Sequence, residues 1–208
     1  MSFVQIFGSA SGDEGEPEGQ EEHRRPTWLG PPEGELGAVV PLGVVVGRSE
    51  RGVVALSHAV AHSTGVALEL AAEMQGLSDA QANRLFHEQH GFGAEEDLPE
   101  GFLRLGLELP GGVRVSNLGG MRQRRRLMRP DEEPDEPVFI PFGGGGGSAG
   151  GGRASLRPGY WLWPFPEPGT IRVACEWPIV GIPLSAVDVD GVALAAATAR
   201  VVPLWPTP

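Results

Sequence analysis

Four histidines, His58, His62, His87 and His90, are the residues whose type and spacing best suit metal chemistry. Imidazole nitrogens are common zinc ligands, so together they could form a metal site or serve a metal-dependent enzyme. In a strand, however, His58 and His62 share a face but lie roughly 13 Å apart, which is too far to bind one ion. His87 and His90 also miss the His-Glu-x-x-His spacing of a metalloprotease helix. A metal-binding protein or metal-dependent enzyme that uses these four histidines is therefore kept as an alternative, and a protein without catalytic activity is the main prediction.

An arginine-rich segment, residues 122–129, is the second candidate, because guanidinium groups could bind the phosphates of RNA. Acidic residues in 131–136 balance its charge, and no aromatic residue is interleaved for base stacking. The whole chain has a net charge of −11, which disfavours nucleic acid. Weak RNA binding is thus a further alternative, and the residues that would carry it are Arg122, Arg124, Arg125, Arg126 and Arg129.

Other patterns give no catalytic centre. The glycine tract at 143–152 lacks the Gly-Lys-Ser/Thr ending of a phosphate loop, and none of Ser57, Thr64 and Ser116 sits in a Gly-x-Ser-x-Gly elbow. Asp190 is expected to cap a helix. The single Cys175 lies among apolar strand residues, which predicts a buried, inert thiol in a reducing compartment. We expect no catalytic residue, metal or cofactor.

The densest aromatic content is found in residues 160–178. Two runs of alternating apolar residues flank a segment with three prolines and Gly169, which predicts a β-hairpin. Its aromatic side chains would either fill the core or leave one face as a binding surface, because Trp and Tyr are frequent interface anchors. The candidate interaction residues are Tyr160, Trp161, Trp163, Phe165 and Trp177.

Most of the predicted secondary structure around these residues is β-strand. About eight short antiparallel strands are indicated between residues 39 and 189, with hairpins over 53–74 and 102–118. Short helices are predicted over 77–89, with Ser78 as N-cap, and over 192–200. This pattern predicts the all-β class and an antiparallel β-sandwich with long loops, and a closed barrel is the alternative.

The composition divides the chain into a tail and one domain. Residues 1–35 are rich in Gly, Glu and Pro and carry eight acids against two arginines, which predicts a disordered acidic tail. Residues 36–206 are expected to form a single β-sandwich domain with flexible loops at 119–136 and 143–152. The sequence shows neither a signal peptide nor a long apolar span, so a cytoplasmic location is expected.

The chain resembles a group of uncharacterised actinobacterial proteins in four features: residues 42–56, residues 63–66, the glycine tract, and the Trp-x-Trp-Pro-x-Pro-x-Pro-Gly…Cys-Glu-Trp-Pro pattern within 160–183. The resemblance covers roughly residues 30–206. It implies a compact β-sandwich of the immunoglobulin-like kind and brings no catalytic residues. With the residue analysis, it predicts a non-enzymatic cytoplasmic protein that acts as a protein-interaction or structural module, with an unidentified protein partner.

Overall fold

The computed structural model describes residues 25–90, 98–119, 132–143 and 146–205, which form antiparallel strands and two α-helices. The strands are β1 (Glu35–Leu36), β2 (Ala38–Arg48), β3 (Gly52–Ala61), β4 (Val66–Gln75), β5 (Arg104–Glu108), β6 (Arg114–Ser116), β7 (Val138–Pro141), β8 (Gly146–Gly150), β9 (Arg153–Arg157), β10 (Gly159–Trp163), β11 (Thr170–Trp177), β12 (Ile182–Asp190) and β13 (Val202–Pro203). The helices are α1 (Asp79–His90) and α2 (Gly191–Ala197), and 3-10 turns cover Thr27–Leu29, Pro110–Gly112, Pro178–Val180 and Thr198–Arg200. The predicted all-β class is confirmed.

Two sheets enclose the main core. The first has the strand order β2-β3-β4-β10-β7, and β9 also pairs with β4 and carries β8 on its other side. The second has the order β12-β11-β5-β6, while β1 and β13 form a separate pair. Apolar side chains from both sheets form one buried cluster between them. The predicted antiparallel sandwich is therefore the observed architecture.

Both hairpins predicted in the first half of the chain are present. β3 and β4 pair along their length, and the His62 N–H donates to the Gly65 carbonyl at 2.9 Å to close the turn. β5 and β6 pair across the Pro110–Gly112 turn. Alternation of apolar residues sets the register of β5, because a slip by one residue would turn its apolar side chains outward. The pairing of β3 with β4 shifts its register once, between Leu56 and His58.

The predicted aromatic hairpin is wrong, because β10 and β11 belong to different sheets. β10 pairs with β4 and β7, whereas β11 pairs with β12 and β5. Residues 164–169 cross from one sheet to the other and do not form a hairpin turn. The physical reason is that residues 159–162 are buried on both faces, so β10 needs a neighbour on each edge and cover on each side.

The glycine tract is also more ordered than predicted in the part that is described. Residues 146–150 form β8, which pairs with β9 through backbone hydrogen bonds that need no side chains. Gly151 and Gly152 connect the two strands with φ angles of 58° and 74°. Two successive positive φ values are what a two-residue hairpin turn requires, and glycine adopts them without strain. The described residues of the predicted flexible loop 143–152 thus include a hairpin.

Ordered structure begins before Leu36, so the predicted tail boundary at residue 35 is wrong. Residues 1–24 lie outside the described residues, but 25–35 include the Thr27–Leu29 turn and β1. Trp28 is only 2% exposed. It belongs to a second buried cluster on the outer face of the first sheet, here called the outer cluster: Trp28, Ala67, Val138, Ile140 and Trp161. One large aromatic residue anchors a segment whose composition is otherwise that of a tail.

Side chains cap both helices as predicted. Ser78 Oγ accepts a hydrogen bond from the Gln81 N–H at 3.3 Å, and Gln81 Oε1 accepts from the Ser78 N–H at 2.9 Å. This reciprocal pair satisfies two donors at the start of α1. The Asp190 carboxylate accepts from the N–H groups of Val192 and Ala193 at the start of α2. Both predicted helices are therefore confirmed.

Trp177 and Cys175 fill the main core from β11. Trp177 is fully buried, and its indole Nε1 donates to the Gly101 carbonyl at 2.8 Å. Cys175 is a buried free thiol, and burial raises its pKa to about 11. The thiol is protonated at neutral pH, which confirms the prediction of an inert core cysteine.

Asn117 is a buried polar residue that joins the two sheets. Its side-chain oxygen accepts from the Leu105 N–H at 2.9 Å. Its amide nitrogen donates to the Leu103 carbonyl at 2.8 Å and to the Tyr160 hydroxyl at 3.2 Å. The first two bonds hold the backbone at the beginning of β5, in the second sheet. The third connects Asn117 to β10, in the first sheet.

Candidate interaction surface

The aromatic residues that the sequence suggested as an interaction surface are largely core residues. Trp161 and Trp177 are fully buried and Tyr160 is nearly so. Trp163 and Phe165 are half-buried and pack against the outer cluster and the main core, respectively. The binding-surface interpretation is therefore wrong for the three buried residues, and the alternative of a sandwich core describes them.

Both faces of β10 are covered, which explains this burial. Tyr160 and Leu162 face the second sheet, while Trp161 faces outward as strand alternation requires. The segment around Trp28 covers that outward face, and Trp161 Nε1 donates to the Thr27 carbonyl at 3.0 Å. The outward face of β10, which the sequence suggested as a binding surface, is thus covered by the Trp28 segment of the same chain.

The other sequence candidates do not assemble a site among the residues that are described. His58 lies in β3 and His62 directly follows its last residue. The side chains of His87 and His90 lie outside the described residues. In the described ranges, no group of three or more His, Cys, Asp or Glu residues could hold a metal ion. The arginine-rich segment also lies outside the described residues, with Arg122, Arg124, Arg125, Arg126 and Arg129.

One serine pattern was missed in the sequence analysis. Residues 146–150 have the sequence Gly-Gly-Ser-Ala-Gly, which matches the Gly-x-Ser-x-Gly motif of a nucleophile elbow. In the structure these residues form the extended strand β8 and not a strand-to-helix turn. The Ser148 hydroxyl lies 3.0 Å from the Ser155 hydroxyl of the neighbouring strand. The pattern therefore lacks the backbone geometry of a nucleophile elbow.

A small polar cluster fastens β1 to the turn between β3 and β4. Glu35 accepts hydrogen bonds from the backbone N–H and the hydroxyl of Ser63. His62 Nδ1 lies 3.8 Å from Glu35 Oε2, and its ring packs edge-on against Trp161. Because the Ser63 hydroxyl donates to a carboxylate and not to an imidazole, the cluster lacks the nucleophile–base contact of a catalytic triad. Its role is to position β1.

His62 predicts a pH dependence of stability. Burial lowers the pKa of His62 from 6.5, and Glu35 offsets part of this effect. The unfolded chain therefore binds this proton more tightly than the folded chain. The free energy of unfolding should be at its full value above pH 6.5 and should decrease as the pH falls below it.

Urea unfolding at about pH 7.5 and about pH 5.5 checks this expectation. The variant His62→Gln should lose less stability between the two pH values than the wild-type protein. Because all carboxylates are retained in the variant, it controls for their titration. An equal loss in both proteins would contradict the assignment to His62.

The clearest exposed apolar feature lies on the paired strands β1 and β13. Leu36 stands directly opposite Val202, and Leu204 and Trp205 follow. Their exposed fractions range from 50% for Val202 to 74% for Trp205. We call these four residues the terminal apolar surface. Large exposed apolar side chains on paired strands and directly after them, as here, are typical of interaction sites.

This surface stands on a fixed backbone. The Leu204 N–H donates to the Gly34 carbonyl at 2.7 Å and extends the pairing of β1 and β13 by one residue. The Trp205 ring lies so close to Gly34 that a Cβ there would approach it to 3.0 Å. An Arg200 guanidinium nitrogen also donates to the Val39 carbonyl at 3.2 Å and so links the segment before β13 to β2. The apolar side chains are therefore exposed without being loosely held.

Local sequence patterns contain little sign of this surface. β1 and β13 have two residues each, which is too short for any periodicity to be recognised. The available sequence signal is Leu204-Trp205-Pro206, in which a large aromatic residue stands outside any predicted helix or strand, after the last predicted helix.

No family model, curated protein or solved structure matches this chain. None of the helices in the described ranges has the length and apolar character needed to cross a membrane. The surface geometry is consequently the main basis for a functional proposal.

Proposed function

We propose that this chain is a non-enzymatic protein-interaction module that binds a protein partner through the terminal apolar surface. The observation that carries the proposal is the exposure of Trp205, a residue that is 74% exposed while Trp161 and Trp177 are fully buried in the same fold. An exposed tryptophan on a fixed backbone loses little conformational freedom when it is covered, which favours its use as an anchor.

The surroundings of this surface suit one kind of partner. Glu33 is exposed and Glu35 is half-buried next to Leu36, and the whole chain has a net charge of −11. A partner that offers apolar side chains within a basic surface would match both properties. A reducing compartment such as the cytoplasm suits this role, because Cys175 is a free thiol.

Loss of partner binding in Trp205→Ala is the expected result. The full-length protein serves as bait in its host, captured proteins are identified by mass spectrometry, and affinities are then measured with the purified partner. Removing the tryptophan should weaken binding by at least about tenfold, as expected for an aromatic anchor at the centre of an interface.

Leu184→Ala provides a matched control. Leu184 is 75% exposed, so the variant also removes a large apolar side chain from the surface. It lies on β12 beside Ser185, which approaches Gly47 near the end of β2, whereas Leu36 lies before the start of β2. Binding that weakened equally in both variants would contradict the proposed surface. Self-association of the pure protein that disappears in Trp205→Ala would assign the surface to a second copy instead.

A further inference from the structure

A groove opens on the first sheet at the end where β2, β3, β4 and β9 meet. Its volume is about 440 Å³, and its walls include Arg48, Arg51 and Arg153. An adjoining open region of about 590 Å³ shares Arg51 and Arg153 and extends over the turn between β8 and β9. Three of the chain's cationic side chains therefore line one continuous depression.

The strand register places Arg48 and Arg153 on the same outer face. Arg48 is directly opposite Val53, and Val53 is directly opposite Glu73. Two residues along β4, Gln75 stands opposite Arg153. Paired residues and residues two apart share a face, so both arginines point outward. At a strand spacing of about 4.8 Å their backbones lie roughly 15 Å apart, with room for a small ligand between the two long side chains.

The floor of the groove is held by hydrogen bonds between neighbouring elements. The Gln75 side-chain nitrogen donates to the Glu50 carbonyl at 2.8 Å. Arg51 donates to the Gly76 carbonyl at 3.3 Å and so crosses from the turn after β2 to the end of β4. The Ser49 hydroxyl accepts from the N–H groups of Arg51 and Gly52, which fixes the turn itself. Arg51 is thus held in place before any ligand binds.

The charges in the groove are unbalanced. Glu73 is already paired with Arg157, with 2.6 Å between its Oε1 and the guanidinium nitrogen. Across the described ranges, no hydrogen bond or ion pair engages the guanidinium group of Arg48 or Arg153. The described residues that line the groove include two carboxylates, those of Glu73 and Glu50, and only Glu50 has no ion-pair partner in the described part of the chain. Three arginines facing one such acid make a positive site on a chain whose net charge is −11.

We propose that this groove binds a small phosphoryl-bearing molecule. Guanidinium groups match phosphate oxygens in a bidentate geometry, and two separated arginines suit a ligand with more than one phosphoryl group. Among the described residues that line the groove, none is aromatic and could stack on a ring, so recognition is directed at the phosphoryl groups. The site is separate from the terminal apolar surface and does not depend on it.

Titration calorimetry of the full-length protein with pyrophosphate at low salt tests the proposal. Binding is expected and should weaken as sodium chloride is added, because exposed charges are screened. Arg48→Ala and Arg153→Ala should each weaken binding by about tenfold, as expected when a charge-assisted hydrogen-bonding partner is lost. Both side chains are exposed, so the variants should fold, which circular dichroism would check.

Arg172→Ala is the control, because Arg172 is an exposed arginine on β11, outside the groove. Its affinity for pyrophosphate should equal that of the wild-type protein. The proposal is overturned if pyrophosphate does not bind at millimolar concentration, or if the Arg48→Ala, Arg153→Ala double variant binds it as tightly as the wild-type protein. Citrate binding as tightly as pyrophosphate would overturn the assignment to phosphoryl groups.

Discussion

Replacement of Trp177 by alanine is expected to lower the free energy of unfolding by about 3–5 kcal/mol. The side chain is fully buried between the two sheets, so its removal leaves a large cavity in the main core. The variant also loses the hydrogen bond from Nε1 to the Gly101 carbonyl. Guanidinium unfolding followed by far-UV circular dichroism measures the effect.

The same substitution at Trp205 is the control for this prediction. Trp205 is exposed, so Trp205→Ala removes the same atoms without opening a core cavity. Its effect on the free energy of unfolding should stay within about 0.5 kcal/mol. Comparable losses for the two variants would contradict the contrast between a core tryptophan and a surface tryptophan. A stable Trp205→Ala variant also supports the binding experiment, because weaker partner binding would then reflect the lost side-chain contact and not unfolding of the variant.

Asn117→Ala is expected to have the second largest effect, a loss of about 2–4 kcal/mol. The substitution removes the hydrogen bonds of the Asn117 side chain with the Leu105 N–H and the Leu103 carbonyl in a buried environment. It also removes the bond to the Tyr160 hydroxyl on β10. An unsatisfied buried donor or acceptor loses its hydration without compensation, which makes this change more costly than the removal of an exposed amide.

Ser116→Ala tests whether the cost arises from burial. Ser116 is the preceding residue, and its hydroxyl accepts a bond from the exposed Leu118 N–H at 3.3 Å. Water can replace that bond, so the change in free energy of unfolding should be below about 0.5 kcal/mol. If chemical denaturation gave similar values for Ser116→Ala and Asn117→Ala, the proposed role of the buried amide would be wrong.

The local elements could be predicted because their signals lie within a few residues. The alternation in residues 102–109 predicts β5, and the interruption at Pro110–Gly112 predicts its pairing with β6. The caps at Ser78 and Asp190 mark where both helices start. In each case the hydrogen-bonding partner is close in sequence, so residue type and spacing contain the information.

The long-range arrangement could not be predicted in the same way. A proline-rich segment such as 164–169 is compatible with either a hairpin turn or a crossover between sheets, and only the neighbours of β10 decide which forms. β8 pairs through its backbone alone, so glycines that resemble a linker form a strand. Trp28 and Trp205 are both isolated tryptophans in polar or proline-rich sequence, yet one is buried and the other exposed. The difference depends on contacts with β10 and Gly34, which no local pattern reveals.

The crossover at 164–169 also affects the order in which a nascent chain acquires its structure. β2, β3, β4, β7, β8, β9 and β10 all precede it, so the first sheet has its last strand once Trp163 has been synthesised. β11 and β12 emerge only afterwards, and until then the apolar inner face of that sheet is only partly covered. Distant strand pairings form slowly, and exposed apolar faces favour aggregation. A ribosome that stalled with the crossover at the mouth of its exit tunnel would therefore present a nearly complete sheet without its partner, in a form that chaperones bind.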